Sequence, residues 1–397
     1  MIKIIALIDN KIDAGGGFNQ AINSIINLRD ISKKGFILEV ITTHKINLIY
    51  LKQLEINASY IPVNFIDYLF AFFSNFSLFS FLQQKIKALS PLEIKLIKRE
   101  CDLVYFTTPS ILASSLQKLN YIFTLWDLCH KENPEFPEVR LYGKYILRDK
   151  YLRRAICSSF LVITESDELS NIASLHFCVD KERFISLPLS ESPFLKNLAS
   201  ANIFNVKKEY KLAKDYFFYP AQLWPHKNHI RILQALLLLR DSQDLKLNVV
   251  FSGKDYGNLN YLSDFIKNNK LNSQVQFLGF VPADHMRGLY ENSKAVVMPT
   301  YFGPSNIPPI EAWSLGVPLI YPDNLSKKFK KAVIAIDQNC EKDLANALIA
   351  VTKPQIRKKL IVEGYKFLKQ QNKNRLLAFK KLTYKIKEFS KIRETWR

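Results

Sequence analysis

The chain has 397 residues, a length that predicts two domains or a single one of unusual size, and is 48% apolar and 23% charged, with 12 glycines and 17 prolines, a composition that excludes disordered, collagen-like and low-complexity classes. Lysine and arginine total 56 against 36 acidic residues, a formal charge of +20, which favours anionic partners such as nucleotides, nucleic acid or acidic lipid headgroups. Five widely spaced cysteines, with no CxxC pair and no histidine cluster at zinc spacing, give neither a disulfide framework nor a metal site and point to a reducing cytoplasm.

Residues 2–8 read as a strand, followed by the turn Gly15-Gly16-Gly17 and a helix whose apolar face carries Ala21, Ile22, Ile25, Ile26 and Leu28. The apolar start reaches Asp9 and Asp13 too soon for a secretory signal, so export by that route is not expected. Gly16 and Gly17 are candidate ligand-binding positions, because small residues at a helix start let an anion approach the backbone amides. The turn is not a dinucleotide fingerprint, since Gln20 stands where a third glycine is needed, and no phosphate loop of the GxxxxGK[ST] type occurs.

Further strands are expected at 36–42, 103–107, 121–125 and 160–164, with helix-compatible stretches such as 140–155 between them. Residues 68–84 are uncharged and rich in phenylalanine, and Phe65, Leu69, Phe72, Phe76 and Phe79 recur at helical spacing. Ser74, Asn75, Ser77, Ser80, Gln83 and Gln84 make this run too polar to cross a bilayer. A helix packed on the core is the expectation. The alternative is an interfacial helix that a basic surface elsewhere holds against anionic lipid.

Periodicity breaks over 187–202, where the linker is placed. The pattern then restarts, with strands at 217–220, 247–252, 275–277, 296–298 and 318–321 and helices at 230–240, 261–268 and 309–315. The fold class expected is α/β, with two Rossmann-like, doubly wound domains facing across a cleft and ligands at the carboxyl ends of the strands. The domains are placed at 1–195 and 203–370, with a basic terminal helix, 371–397, packing back toward the first domain. Residues 353–397 hold 15 basic and 3 acidic side chains, and the aromatic residues there are expected to dock this helix.

Two strings in the second half are the most specific features. They are Tyr219-Pro220-Ala221-Gln222-Leu223-Trp224-Pro225-His226-Lys227-Asn228-His229, and Gly303-Pro304-Ser305-Asn306-Ile307-Pro308-Pro309-Ile310-Glu311-Ala312 followed by Gly316-Val317-Pro318. With Gly253, Phe277-Leu278-Gly279-Phe280 and Leu289-Tyr290, they resemble the retaining glycosyltransferases of family four, group 1 type, which have the GT-B fold. The resemblance covers residues 215–325 well and the first half more loosely.

The resemblance implies a nucleotide-diphosphate sugar as donor substrate, with no cofactor and no metal. Lys227 matches the family lysine that contacts the diphosphate, and Gln222 stands where an arginine is usual. Glu311 matches the second of two family glutamates, the one that accepts from the ribose. The first falls on Gly303, so the amides of Asn306 and Ile307 are expected to meet the sugar instead. In the first half, Thr124-Leu125-Trp126-Asp127-Leu128-Cys129-His130, followed by Asn133-Pro134-Glu135-Phe136, resembles a family loop that usually reads His-Asp. Trp126 replaces that histidine, Asp127 matches the aspartate, and His130 is the nearest imidazole, so Lys227, Asp127 and His130 are the candidate catalytic residues.

The function expected is a metal-independent, retaining glycosyltransferase, with mannose named as one candidate sugar. It would serve a glycan or lipid-linked acceptor in cell-envelope polysaccharide synthesis, in the cytoplasm or at the inner face of the plasma membrane. An anionic membrane surface is a further candidate partner. Nucleic acid is not, since no RNA-recognition, helix-turn-helix, KH or zinc-finger pattern is present. The alternative is a catalytically inactive GT-B-fold protein acting as a basic binding scaffold.

Overall fold

Apolar strands alternate with helices to form two parallel sheets in a computed structural model that describes residues 1–12, 16–32, 35–197, 205–303 and 306–396. The first sheet contains β1 (Lys3–Ile8), β2 (Ile37–Thr42), β3 (Ser59–Tyr60), β4 (Leu103–Phe106), β5 (Asn120–Thr124), β6 (Leu161–Thr164) and β7 (Phe184–Ser186), in the order β3-β2-β1-β4-β5-β6-β7. The second contains β8 (Phe217–Pro220), β9 (Val249–Ser252), β10 (Val275–Phe277), β11 (Val296–Val297), β12 (Leu319–Pro322) and β13 (Ile334–Ile336), in the order β10-β9-β8-β11-β12-β13. Helices on both faces explain why the central strands are apolar at nearly every position instead of alternating. In β4, β6 and β9 every residue is buried.

The chain divides into two compact units, one of Met1–Glu132, Leu141–Leu189 and Lys373–Arg397, the other of Asn133–Arg140 and Ser190–Asn372. Ile5, Leu7, Val104, Phe106 and Phe123 lie at the heart of the first core, and Phe218, Tyr219, Phe251, Val296 and Ile320 at that of the second. The short segment Asn133–Arg140 clusters with the second unit although the flanking chain belongs to the first. Sequence placed all of 1–195 together, because nothing in eight residues of loop announces a long-range partner.

Three further expectations are corrected. The aromatic run is not one helix but two, Phe65–Phe73 and Ser77–Lys85, bent by 109°. The polar residues that interrupt it build the elbow, where the buried Ser74 hydroxyl donates to Gln83 Oε1 at 2.9 Å. The run packs on the core only in part: Leu69, Phe72, Phe76 and Phe79 are half-buried and Ala71 joins the core cluster, whereas Phe65, Phe73 and Phe81 are exposed. The helix expected at 140–155 begins at Lys144, because Tyr142 (φ 58°) and Gly143 (φ 70°) take left-handed conformations that break the turn before it. Finally, the basic terminus is not a separate helix but the end of one, Pro354–Arg393, and the division between the two units falls inside that helix, after Asn372. Leu382, Ile386 and Phe389 bury its apolar stripe, while Tyr365, Tyr384 and Trp396 remain exposed. Earlier in the helix Gly364 lies against Trp313, where a Cβ would come within 2.4 Å of the indole.

Candidate functional site

In each sheet the strand order reverses beside the first strand, between β1 and β4 and between β8 and β11. Ligands collect at such switch points, outside the carboxyl ends of the strands. In the second unit Gln222 and Lys227 follow β8, Gly253 follows β9, and Gly303 and Asn306 follow β11.

The segment after β8 is held from several sides. A short 3₁₀ turn, Pro225–Lys227, leads into the helix His229–Gln243 through Asn228, which is left-handed at φ 56°. The buried Asn228 amide group donates to the carbonyls of Pro299 (3.0 Å) and Gln338 (2.8 Å). Tyr219 Oη donates to the Lys227 carbonyl at 2.9 Å, and the His226 carbonyl accepts from the Tyr301 amide at 2.9 Å. Lys227 is therefore carried on a fixed backbone, and its Nζ donates to Asn306 Oδ1 at 3.1 Å.

Asn306 also donates to Tyr321 Oη (2.7 Å) and to the Gly303 carbonyl (3.2 Å). It precedes the helix Ile307–Ser314, whose next two residues are Pro308 and Pro309. Prolines carry no amide hydrogen, so of the first three helical residues Ile307 alone can donate to a ligand. Pro304 and Ser305 of this string, like Gly15 of the first glycine turn, lie outside the described residues.

Gly303 has φ +119°, and a Cβ there would lie 2.7 Å from the Asn306 side chain. The missing carboxylate thus has a backbone reason: the space beside residue 303 is filled by the amide that Lys227 contacts. Gly253 is equally constrained at φ +147°, where a Cβ would be 2.3 Å from the Ala221 carbonyl oxygen. In register Pro220 faces Ser252, which brings the two following loops together and leaves Gln222 Oε1 buried with no hydrogen-bond partner among the described residues.

Glu311 is buried in the same helix and accepts from Tyr290 Oη at 2.6 Å. Burial raises its carboxyl to about 6, against the lowering by Tyr290 and the Ser192 amide. His229 lies between the Tyr219 and Phe251 rings. Burial, followed by the charge of Lys227, lowers it to about 3, so it is a neutral packing residue.

Sequence reasoning missed one part of this unit. Glu138, in the segment Asn133–Arg140, accepts from the His226 backbone amide at 3.1 Å and pairs with its ring Nδ1 at 2.5 Å. Phe136 packs against Tyr301 and Phe302, and His226 stacks on Phe302 at 4.0 Å. The Asn-Pro-Glu-Phe string was visible, but its partner lies 88 residues away from Glu138, beyond any local spacing rule.

In the first unit Gly16 and Gly17 open the helix Gly16–Ser32. A Cβ on Gly17 would lie 2.4 Å from the Trp126 ring, so that glycine makes room for the tryptophan. Asp127 is bound by Arg148 at 2.7 Å and by the Cys129 amide at 2.9 Å. Burial would raise its carboxyl, but Arg148 and that amide outweigh burial and hold it below the usual range. His130 is 0% exposed, lies against the Tyr145 ring, and is lowered to about 4 by burial and then by the charge of Arg148. As placed, its imidazole is enclosed by the surrounding side chains.

A polar cluster that the sequence did not reveal lies at this unit's switch point. Asp9, just past β1, accepts from Ser110 (2.6 Å) and Thr43 (2.9 Å). Burial raises the Asp9 carboxyl despite these bonds. Among the described residues no group of three or more His, Cys, Asp or Glu side chains is arranged to hold a metal ion.

Two Rossmann-like α/β units, with a cation, a helix start and a buried glutamate at the second switch point, define the class as GT-B. The family model described as Glycosyl transferases group 1 matches residues 202–367. It is 26% identical over 186 residues to O-antigen chain mannosyltransferase B of Escherichia coli, across 46% of this chain and 49% of that one. It is 26% identical over 205 residues to O-antigen chain mannosyltransferase RfbU of Salmonella typhimurium, across 51% and 52%. The chain thus spans about half the length of these curated relatives. Among solved structures, the Anabaena protein HepE in complex with UDP-glucose superposes with a TM-score of 0.70 at 16% identity, over 97% of this chain and 100% of that one.

Proposed function

We propose that the protein is a retaining glycosyltransferase that draws a sugar from a nucleotide-diphosphate donor and adds it to a glycan or lipid-linked acceptor of a cell-envelope polysaccharide. The observation that carries this reading is the meeting of Lys227 with Asn306 beside the amide of Ile307 at the second switch point. The leaving diphosphate gains negative charge as the glycosidic bond breaks. A fixed ammonium and a helix start aimed at that charge lower the barrier without reorganising. Glu311 is the acceptor for ribose hydroxyls, and the unpartnered Gln222 Oε1 is a further polar atom available to the nucleotide. The two O-antigen mannosyltransferases support an envelope glycan as product and mannose as one candidate sugar. HepE, bound to UDP-glucose, supports a nucleotide-sugar donor.

A scaffold without catalysis is the competing reading, favoured by the neutral Gln222 and by the absence of a carboxylate at Gly303. The purified chain is incubated with UDP- and GDP-sugars and envelope glycan acceptors, with nucleotide release followed and the product anomer assigned by NMR. Turnover with retained configuration, reduced at least about 100-fold in Lys227→Ala as for loss of one transition-state charge contact, is the expected result. Nucleotide binding without release or transfer would favour the scaffold.

A further inference from the structure

The helices Phe65–Phe73 and Ser77–Lys85 leave a run of large apolar side chains in solvent. Phe65 is 74% and Leu78 71% exposed, and Phe73, Phe81 and Leu82 are also exposed. A second set stands on the turn and first residues of the helix Lys144–Ser158: Leu141, Tyr142 (89% exposed), Ile146 and Leu147. The two sets belong to one unit and touch through their basic neighbours. Lys150 Nζ sits 4.4 Å from the centre of the Phe76 ring, and the Arg154 guanidinium donates to the Ser80 hydroxyl at 2.7 Å.

The charge around this surface has one sign. Between residues 65 and 87 the only acidic side chain is Asp67, fully buried and accepting from the amides of Asn64 and Leu92. Lys85 and Lys87 end that segment. On the helix Lys144–Ser158, Lys144, Lys150 and Arg153 are exposed, and the lone acidic residue, Asp149, is paired with Lys131 at 2.7 Å. Contiguous exposed apolar surface marks an interaction site. A basic frame around it selects an anionic partner that also accepts bulky aromatic and aliphatic side chains.

We propose that this surface docks the protein on a bilayer interface containing anionic lipid. Each of the two helices has nine residues, about 13.5 Å of helix, far short of the roughly 30 Å of a hydrocarbon core. Among the described residues no single helix is long and apolar enough to cross a membrane. A bent amphipathic pair instead inserts its apolar side to the depth of the headgroups, with lysines at the phosphates. The charge comes from the helix Lys144–Ser158 and not from the basic terminus that the composition singled out. This docking does not rest on the donor site of the second unit.

The test is cosedimentation of the full chain with vesicles of phosphatidylcholine alone or mixed with phosphatidylglycerol. The wild-type chain is expected to pellet with the mixed vesicles alone. Leu78→Ser with Phe81→Ser, and separately Lys144→Glu with Lys150→Glu, are each expected to lower the partition coefficient about tenfold or more. Lys373→Glu with Lys380→Glu, on the terminal helix Pro354–Arg393 and outside the segments that form the docking surface, is expected to leave it within about twofold. Circular dichroism checks the fold of every variant, and the lysine pair keeps the test open if the serine pair misfolds. The proposal is overturned if the wild-type chain stays in solution with both vesicles, or if the first two variants bind as wild type. Loss of binding in the terminal-helix variant alone overturns it too, as does a protein dimer, seen by light scattering, that the serine pair abolishes without any lipid binding.

Discussion

At the scale of single residues, the glycines and the buried glutamate define what the donor site can be. Restoring a carboxylate by Gly303→Glu is predicted to fail, because φ +119° and the Asn306 amide leave no room for a side chain. Strain and overpacking should lower stability by about 1–3 kcal/mol in urea unfolding, and nucleotide affinity should fall with it. Glu311 supplies a pH signature. Its folded carboxyl is raised from 4.5 to about 6, so below pH 4.5 both states are protonated and the group contributes nothing. Between 4.5 and 6 the folded chain alone keeps the proton, and above 6 it carries the full cost of a buried carboxylate, about 2 kcal/mol. Glu311→Gln is therefore predicted to gain stability relative to wild type as pH rises from 4.5 to 7, read by urea unfolding at each pH. Nucleotide affinity of the wild-type chain should weaken as pH falls through 6, since the protonated acid is a poorer acceptor for ribose.

Lys227, Asn306 and Glu311 were singled out by the resemblance of their two strings to the glycosyltransferase family, which periodicity and spacing alone would not have supplied. Asp127 and His130 were legible as residue types but not as environments. An arginine 21 positions on claims the aspartate, and core packing closes over the imidazole. Periodicity reports which face is buried, not which buried polar group has been taken by another.

At the scale of elements, the turn after β8 converts sequence into site. Asn228 bonds two carbonyls from distant loops while holding a left-handed conformation. Asn228→Ala should cost about 2–3 kcal/mol by leaving these carbonyls unpaired. With the backbone of Lys227 loosened, nucleotide should bind at least several-fold more weakly in calorimetric titration even at temperatures where the variant is fully folded. The central strands were readable from apolar runs, and Val275–Phe277 falls where expected. The short strands β3, β7 and β13, two or three residues each, were not, although β10 and β11 are no longer, so length alone does not separate the strands that were read from those that were missed. The aromatic elbow was misread for a definite reason. Helical spacing persists across a bend, and the Ser74–Gln83 hydrogen bond that fixes the bend looks in sequence like mere polarity.

At the scale of the whole molecule, the same architecture is used twice, and each unit keeps polar residues where its strand order turns. The second unit presents a cation, a helix start and a buried acceptor, whereas the first presents the Asp9 cluster and the Gly17–Trp126 packing. On this division we propose that the donor nucleotide binds the second unit, and that proposal is the central claim. It is tested most directly by calorimetric titration of the full chain with UDP, GDP and ADP, repeated on Lys227→Ala. The account predicts saturable one-to-one binding of one base by the wild-type chain and at least about tenfold weaker binding by the variant, as expected for a lost charge-assisted contact. A folded chain that binds none of the three, or a variant that binds as tightly as wild type, would contradict it.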